Sequence, residues 1–151
     1  MHGKTAKTSA LALMAAFAAA GAAFAGQAPL TTDSDLVIRV GSLSSTPTFY
    51  PVSVNGKAVR VIAAVAPDKT VRTVFDACQA CGDVGYTFQR DALACKACGQ
   101  RFAIANMEKV KGGCNPVPVG AANKTETADA VIISKAFLER AADTFASWRN
   151  R

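Results

Sequence analysis

Histidine is almost missing from this chain: His2 is the only one. It lies with Lys4 and Lys7 in the basic start of a segment that reads as an export signal. Once that segment is removed, no imidazole remains. This excludes histidine metal ligands and the histidine activation of a serine or cysteine nucleophile. No other base–nucleophile constellation is visible, so hydrolytic catalysis is poorly supported. Neither Cys-x-x-Cys motif is followed by histidine, which excludes covalent haem attachment of the CxxCH kind. No twin-arginine pair precedes the apolar run, so export is expected to occur unfolded. An iron–sulfur cluster inserted in the cytoplasm would not survive that threading, whereas a metal ion captured afterwards would pose no such problem. No second apolar span follows, so no transmembrane segment is expected in the mature chain.

The signal itself is an uncharged, alanine-rich run from Ser9 to Ala20, followed by the small-x-small site Ala23-Phe24-Ala25. The expected division is a signal peptide over residues 1–25, a flexible mature N-terminus over 26–35 and one domain over 36–151. An uncleaved anchor is the alternative. The destination is the periplasm or the cell envelope. Without Lys4 and Lys7 the charge is 15 Lys+Arg against 11 Asp+Glu, or +4. That balance suits a solvated surface, and export argues against a nucleic-acid partner.

Cysteine is confined to one stretch. The five cysteines are Cys78 and Cys81, Cys95 and Cys98, and a separate Cys114 inside Gly112-Gly113-Cys114-Asn115-Pro116. Two CxxC pairs can hold four thiolates around one inorganic centre. A tetrahedral all-sulfur set suits Zn²⁺, a single iron or an iron–sulfur cluster, and ligand type alone does not separate them. Asp76 or Asp83 could add oxygen, though a turn-capping role for Asp76 is the simpler reading. Cys114 could replace one of the four, act as an exchangeable ligand or redox-active sulfur, or fill a loop corner. A metal-free protein with two CxxC disulfides is a further alternative, since the compartment is oxidising. It lacks the helix N-terminus that a thioredoxin-like site uses to lower a thiol pKa. Met107 could offer a thioether to a soft ion, or simply pack.

The fold class expected is α+β, mostly β: an antiparallel meander, a double-CxxCG site of zinc-ribbon or rubredoxin-like plan, and one C-terminal helix. Strands are expected over Leu36–Val40, Thr48–Val54, Ala58–Val65 and Thr70–Phe75, the middle pair joined by the hairpin turn Asn55-Gly56. Gly85–Gln89 with Ala92–Ala94 reads as a hairpin between the cysteine pairs, and Arg101–Ile104 as a strand after them. The glycine after each pair (Gly82, Gly99) lets the chain turn back with φ > 0 and offers N–H groups to the sulfurs. Asn106–Lys111 reads as a short helical stretch and Asn115–Asn123 as loop. After a strand at Ala130–Ile133, Ser134 caps a helix from about Lys135 to Trp148, with Phe137, Leu138, Ala141, Phe145 and Trp148 on its core face. Lys135 and Glu139 form an i,i+4 pair on another side. Tyr50, Tyr86, Phe88 and Phe102 lie near the cysteines in sequence. They could shield a centre from water, or serve ordinary sheet packing.

The sequence resembles the FtrD-like domain, a membrane iron–sulfur-containing protein type. The residues that carry the resemblance are Thr48-Phe49-Tyr50-Pro51-Val52, Val71 to Cys78 with Cys81, Gly85-Tyr86, Cys95-x-x-Cys98-Gly99-x-Arg101-Phe102 and Gly112 to Pro118. It implies a domain of bacterial iron-uptake systems at the cell envelope, handling electrons or metal, with membrane iron-uptake or redox components as partners. Family members often follow a multi-helix membrane portion. Here only the signal precedes the domain, which implies a soluble stand-alone version. A structural zinc domain acting as an interaction module is the reading from another class.

Overall fold

Asn55 and Gly56 both take positive φ, 51° and 73°, and close a tight two-residue hairpin. The hairpin joins β3 (Thr48–Val54) to β4 (Lys57–Val65), and β4 returns into β5 (Val71–Cys78). This is the expected meander. The computed structural model describes residues 30–31, 34–109 and 111–149. The expected signal, residues 1–25, lies outside the described residues. Within the stretch expected to be flexible, β1 (Leu30–Thr31) pairs in parallel with Val52 and Ser53 of β3.

One expected member leaves the meander. β2 (Leu36–Arg39) pairs with β11 (Ala130–Ile133), which also pairs with β10 (Lys124–Glu126), giving a separate three-stranded sheet. The reason is a non-local partner: Val131 and Ile133 match Ile38 and Leu36 in register, so all four bury on one face. A second correction falls in the expected loop after Cys114. Pro116–Pro118 forms strand β9 on the outer edge of β5, where a missing N–H can face away from the ladder. Asn106–Lys111 is not helical either: a 3₁₀ turn covers Ile104–Asn106 and ordinary turns follow among the described residues. β6 (Tyr86–Gln89), β7 (Ala92–Cys95) and β8 (Arg101–Ala103) form the third sheet.

Period-two alternation gives the central sheet two buried faces. Val59, Val61 and Ala63 of β4, with Phe75 and Ala77 of β5, join the larger core. Over that face lies α1 (Lys135–Arg149), the single α-helix among the described residues, with Leu138, Ala142 and Phe145 buried. Phe75 meets the rings of Phe137 and Phe145 at 5.5 and 5.1 Å. The Ser134 Oγ accepts the Phe137 N–H as the expected cap, and Lys135 pairs with Glu139 at 3.7 Å. On the other face Ile62 and Ala64 of β4 and Val74 and Cys78 of β5 meet Tyr86, Leu93, Cys95, Ile104 and Met107. The sulfur site is therefore part of the second core. Glu108 fastens the turn beyond Met107 by accepting from the Thr73 N–H (2.6 Å) and the Lys124 ammonium (2.7 Å). No helix among the described residues is long and apolar enough to cross a membrane.

Candidate metal centre

The last residue of β5 is Cys78, and the chain turns back on itself directly after it. Cys78 and Gly82 exchange backbone hydrogen bonds of 2.8 and 2.9 Å, with Gly82 at φ 85°. The second pair repeats this plan at the end of β7. The Gly99 N–H donates to the Cys95 carbonyl at 2.9 Å, with Gly99 at φ 73°. The Cys81 N–H points at the Cys78 sulfur, 3.3 Å away. Both glycines thus take the conformation expected for them, and one backbone donor faces a sulfur as expected.

All five cysteines are free thiols. Their sulfurs fall into two sets of three: Cys78, Cys81 and Cys95, and Cys81, Cys98 and Cys114. Within each set every sulfur lies within 4.8 Å of the others. Cys81 belongs to both, and its sulfur is 3.8 Å from that of Cys114. The first set is inner, with Cys78 and Cys95 buried; the second is outer, with Cys98 exposed and Cys114 half-buried. Neither set among the described residues includes a carboxylate. Such a donor set fits a thiophilic ion or an iron–sulfur cluster, because soft thiolates select those groups.

The thiols differ electrostatically. Burial works against the Cys78 thiolate, but the N–H groups of Cys81 and Ala80 and the Tyr86 hydroxyl outweigh it and lower its pKa. Cys81 is raised well above the ordinary range, first by Cys78 and then by Cys114. Cys95 is raised by burial, and Cys114 by the neighbouring Cys98. Cys98 is lowered to about 7, chiefly by the Gln100 N–H and then by Cys114. In metal-free protein, iodoacetamide is expected to modify Cys98 first, with a rate rising through a midpoint near that value. A midpoint at the ordinary thiol value, about 8.5, would contradict this.

Three residues position the sulfurs. Gln79, inside the first pair, clasps the Cys114 loop at three points. Its N–H donates to Asn115 O (2.9 Å), its Nε2 donates to Pro116 O (2.8 Å), and its Oε1 accepts the Gly112 N–H (2.8 Å). Sequence reasoning missed this residue, because the spacing of a CxxC motif says nothing about its intervening side chains. Replacing Gln79 with Ala is expected to cost about 1–3 kcal/mol and to speed Cys114 alkylation several-fold with the helix signal unchanged. Unchanged Cys114 reactivity would refute the clasp. Tyr86, buried, donates its hydroxyl to Cys114 O at 2.8 Å and stacks edge-on with Phe102. Its own pKa is raised, mainly by burial and then by Cys78.

Asp76 is the third. Its carboxylate accepts the Tyr86 N–H (2.6 Å) and pairs with Arg60 Nε (2.7 Å), so it caps β6 rather than its own knuckle turn and is no member of either sulfur set. Burial raises its pKa, and Arg60 and the Tyr86 N–H pull it back only in part. Gly85 makes the approach possible: a Cβ there would lie 3.0 Å from both Asp76 oxygens. Of the other candidates, Phe88, Phe102 and Met107 pack into the cysteine-bearing core, whereas Tyr50 packs into the other one.

A small β scaffold thus gathers cysteine thiols into sets that could hold a metal ion. The chain belongs to the FtrD-like family, described as membrane iron–sulfur containing protein FtrD-like, whose family model matches residues 44–145. No curated protein matches the chain. A solved structure, the quaternary ammonium Rieske monooxygenase CntA in complex with an inhibitor, is similar at 17% identity and a TM-score of 0.43. The match covers 68% of this chain and 31% of that one.

Proposed function

We propose that this protein is an exported, metal- or iron–sulfur-binding accessory of bacterial iron uptake, working in the periplasm or at the cell envelope. Its role is electron transfer or metal handling alongside membrane iron-uptake or redox components. The observation that carries the reading is the convergence of five cysteine sulfurs in two sets, each within 4.8 Å, in a member of an iron–sulfur family. Cys78, Cys81, Cys95, Cys98 and Cys114 are the proposed ligands, in a zinc-ribbon or rubredoxin-like arrangement. A bound iron centre would supply one-electron chemistry there. The chain's own part is to supply thiolates, point N–H groups at them and exclude water with Tyr86, Phe88 and Phe102.

A second reading is a structural zinc staple whose protein acts through an interaction surface. It is favoured by the membership of Cys78 and Cys95 in the second hydrophobic core. Metal analysis with visible and electron paramagnetic resonance spectra separates the two, since an iron centre absorbs visible light and zinc does not. Iron with visible absorption supports the first reading. Colourless, zinc-loaded protein supports the second. Protein with its thiols oxidised to disulfides and no metal supports neither, and makes it a thiol–disulfide redox protein.

A further inference from the structure

Four thiolates are enough for one tetrahedral ion, yet five sulfurs meet here, and they divide into two sets that share Cys81. With metal–sulfur bonds of about 2.3 Å, two thiolates on one tetrahedral ion lie roughly 3.8 Å apart. Cys81 and Cys114 are 3.8 Å apart. Cys114 therefore stands at chelating distance from Cys81, and Gln79 and Tyr86 hold its loop there. The two sets also differ in access, because Cys95 closes the inner one under the core while Cys98 opens the outer one to solvent.

Charge points the same way. A metal-bound thiol is deprotonated. Five thiolates around one divalent ion would leave a formal charge of minus three in a site that is half core. Two divalent ions reduce it to minus one. We propose that the chain holds two thiophilic divalent ions, one in each set, with the Cys81 thiolate bridging them. The inner ion, bound by Cys78, Cys81 and Cys95, is the retained one. The outer ion, bound by Cys81, Cys98 and Cys114, exchanges with solvent. This rests on the metal-centre reading above and gives Cys114 a place that a four-thiolate cage does not.

The test is an anaerobic titration of the reduced, metal-free chain with isotopically enriched Cd²⁺, read by native mass spectrometry and cadmium NMR. Two ions per chain are expected, with two resonances split by mutual coupling through Cys81. A chelator should remove one equivalent at least tenfold faster than the other. Cys114→Ser should bind one ion and lose the fast phase. The coupling is read on the unaltered chain, so the test does not depend on any variant folding. Saturation at one ion, or two resonances without coupling, overturns the bridged pair and leaves the single-centre reading standing. A chain that binds no Cd²⁺ at all overturns both.

Discussion

A Cys95→Ser chain is expected to lose the metal of its inner sulfur set and to melt on the order of 10 °C lower. Cys95 ends β7, lies in the inner set of sulfurs and is buried in the second core. Its backbone holds the corner closed, donating to Gln100 O and accepting from the Gly99 N–H. Serine keeps that backbone but offers no soft ligand, leaving the inner set two sulfurs and a buried hydroxyl. Structural zinc contributes roughly 10–16 kcal/mol of binding free energy in small metal domains, so partial loss is large on the scale of folding stability. Taking only about 3 kcal/mol of it, the melting temperature of a domain of this size falls by on the order of 10 °C. Full metal content with unchanged melting would show that Cys95 is not a ligand.

The second large effect is expected at Asp76. Asp76→Ala removes the acceptor of the buried Tyr86 N–H and the partner of Arg60. Arg60 is 43% exposed and can return to water, so its loss counts for little. The orphaned N–H dominates, and the expected cost is about 2–4 kcal/mol. Because Tyr86 pairs with Cys95 across the hairpin, metal affinity should fall as well, by roughly tenfold. Asp76→Asn keeps an acceptor and should cost about half as much. The pH dependence has a definite sign. Burial raises the Asp76 pKa above its ordinary 3.8, so the folded chain holds this proton more tightly than the unfolded one. The stability it contributes is full below that ordinary value and is lost as pH rises through the raised one. The margin of the wild type over Asp76→Asn, measured by urea unfolding, should therefore narrow as pH rises above about 4. A margin that widens would mean the Arg60 pair outweighs burial.

Local signals carried much of the architecture. Asn55-Gly56 announced its hairpin because few residues take positive φ twice in succession. The glycines after each cysteine pair announced the two chain reversals, and the spacing of Leu138, Ala141 and Phe145 announced the buried face of α1. What stayed hidden depends on distant partners. β2 looks like one more meander strand until Val131 and Ile133 are available to pair with it. The prolines of β9 argue against a strand, and only its edge position beside β5 makes them harmless. At the site, residue type named all five sulfurs, but their division into two sets sharing Cys81 was not legible. That division depends on where the Cys114 loop docks, and Gln79 sets the docking through hydrogen bonds to residues more than thirty positions away. Asp76 misled in a similar way, since its true partner is the start of the next hairpin.

Sulfur from distant parts of the chain is expected to close around an inorganic occupant. The most direct check is elemental quantification of protein recovered from its own compartment, paired with a count of accessible thiols before and after chelation. The expected result is bound metal, with masked cysteines that become reactive once it is stripped. Protein empty of metal, its cysteines joined to one another as disulfides, would contradict it.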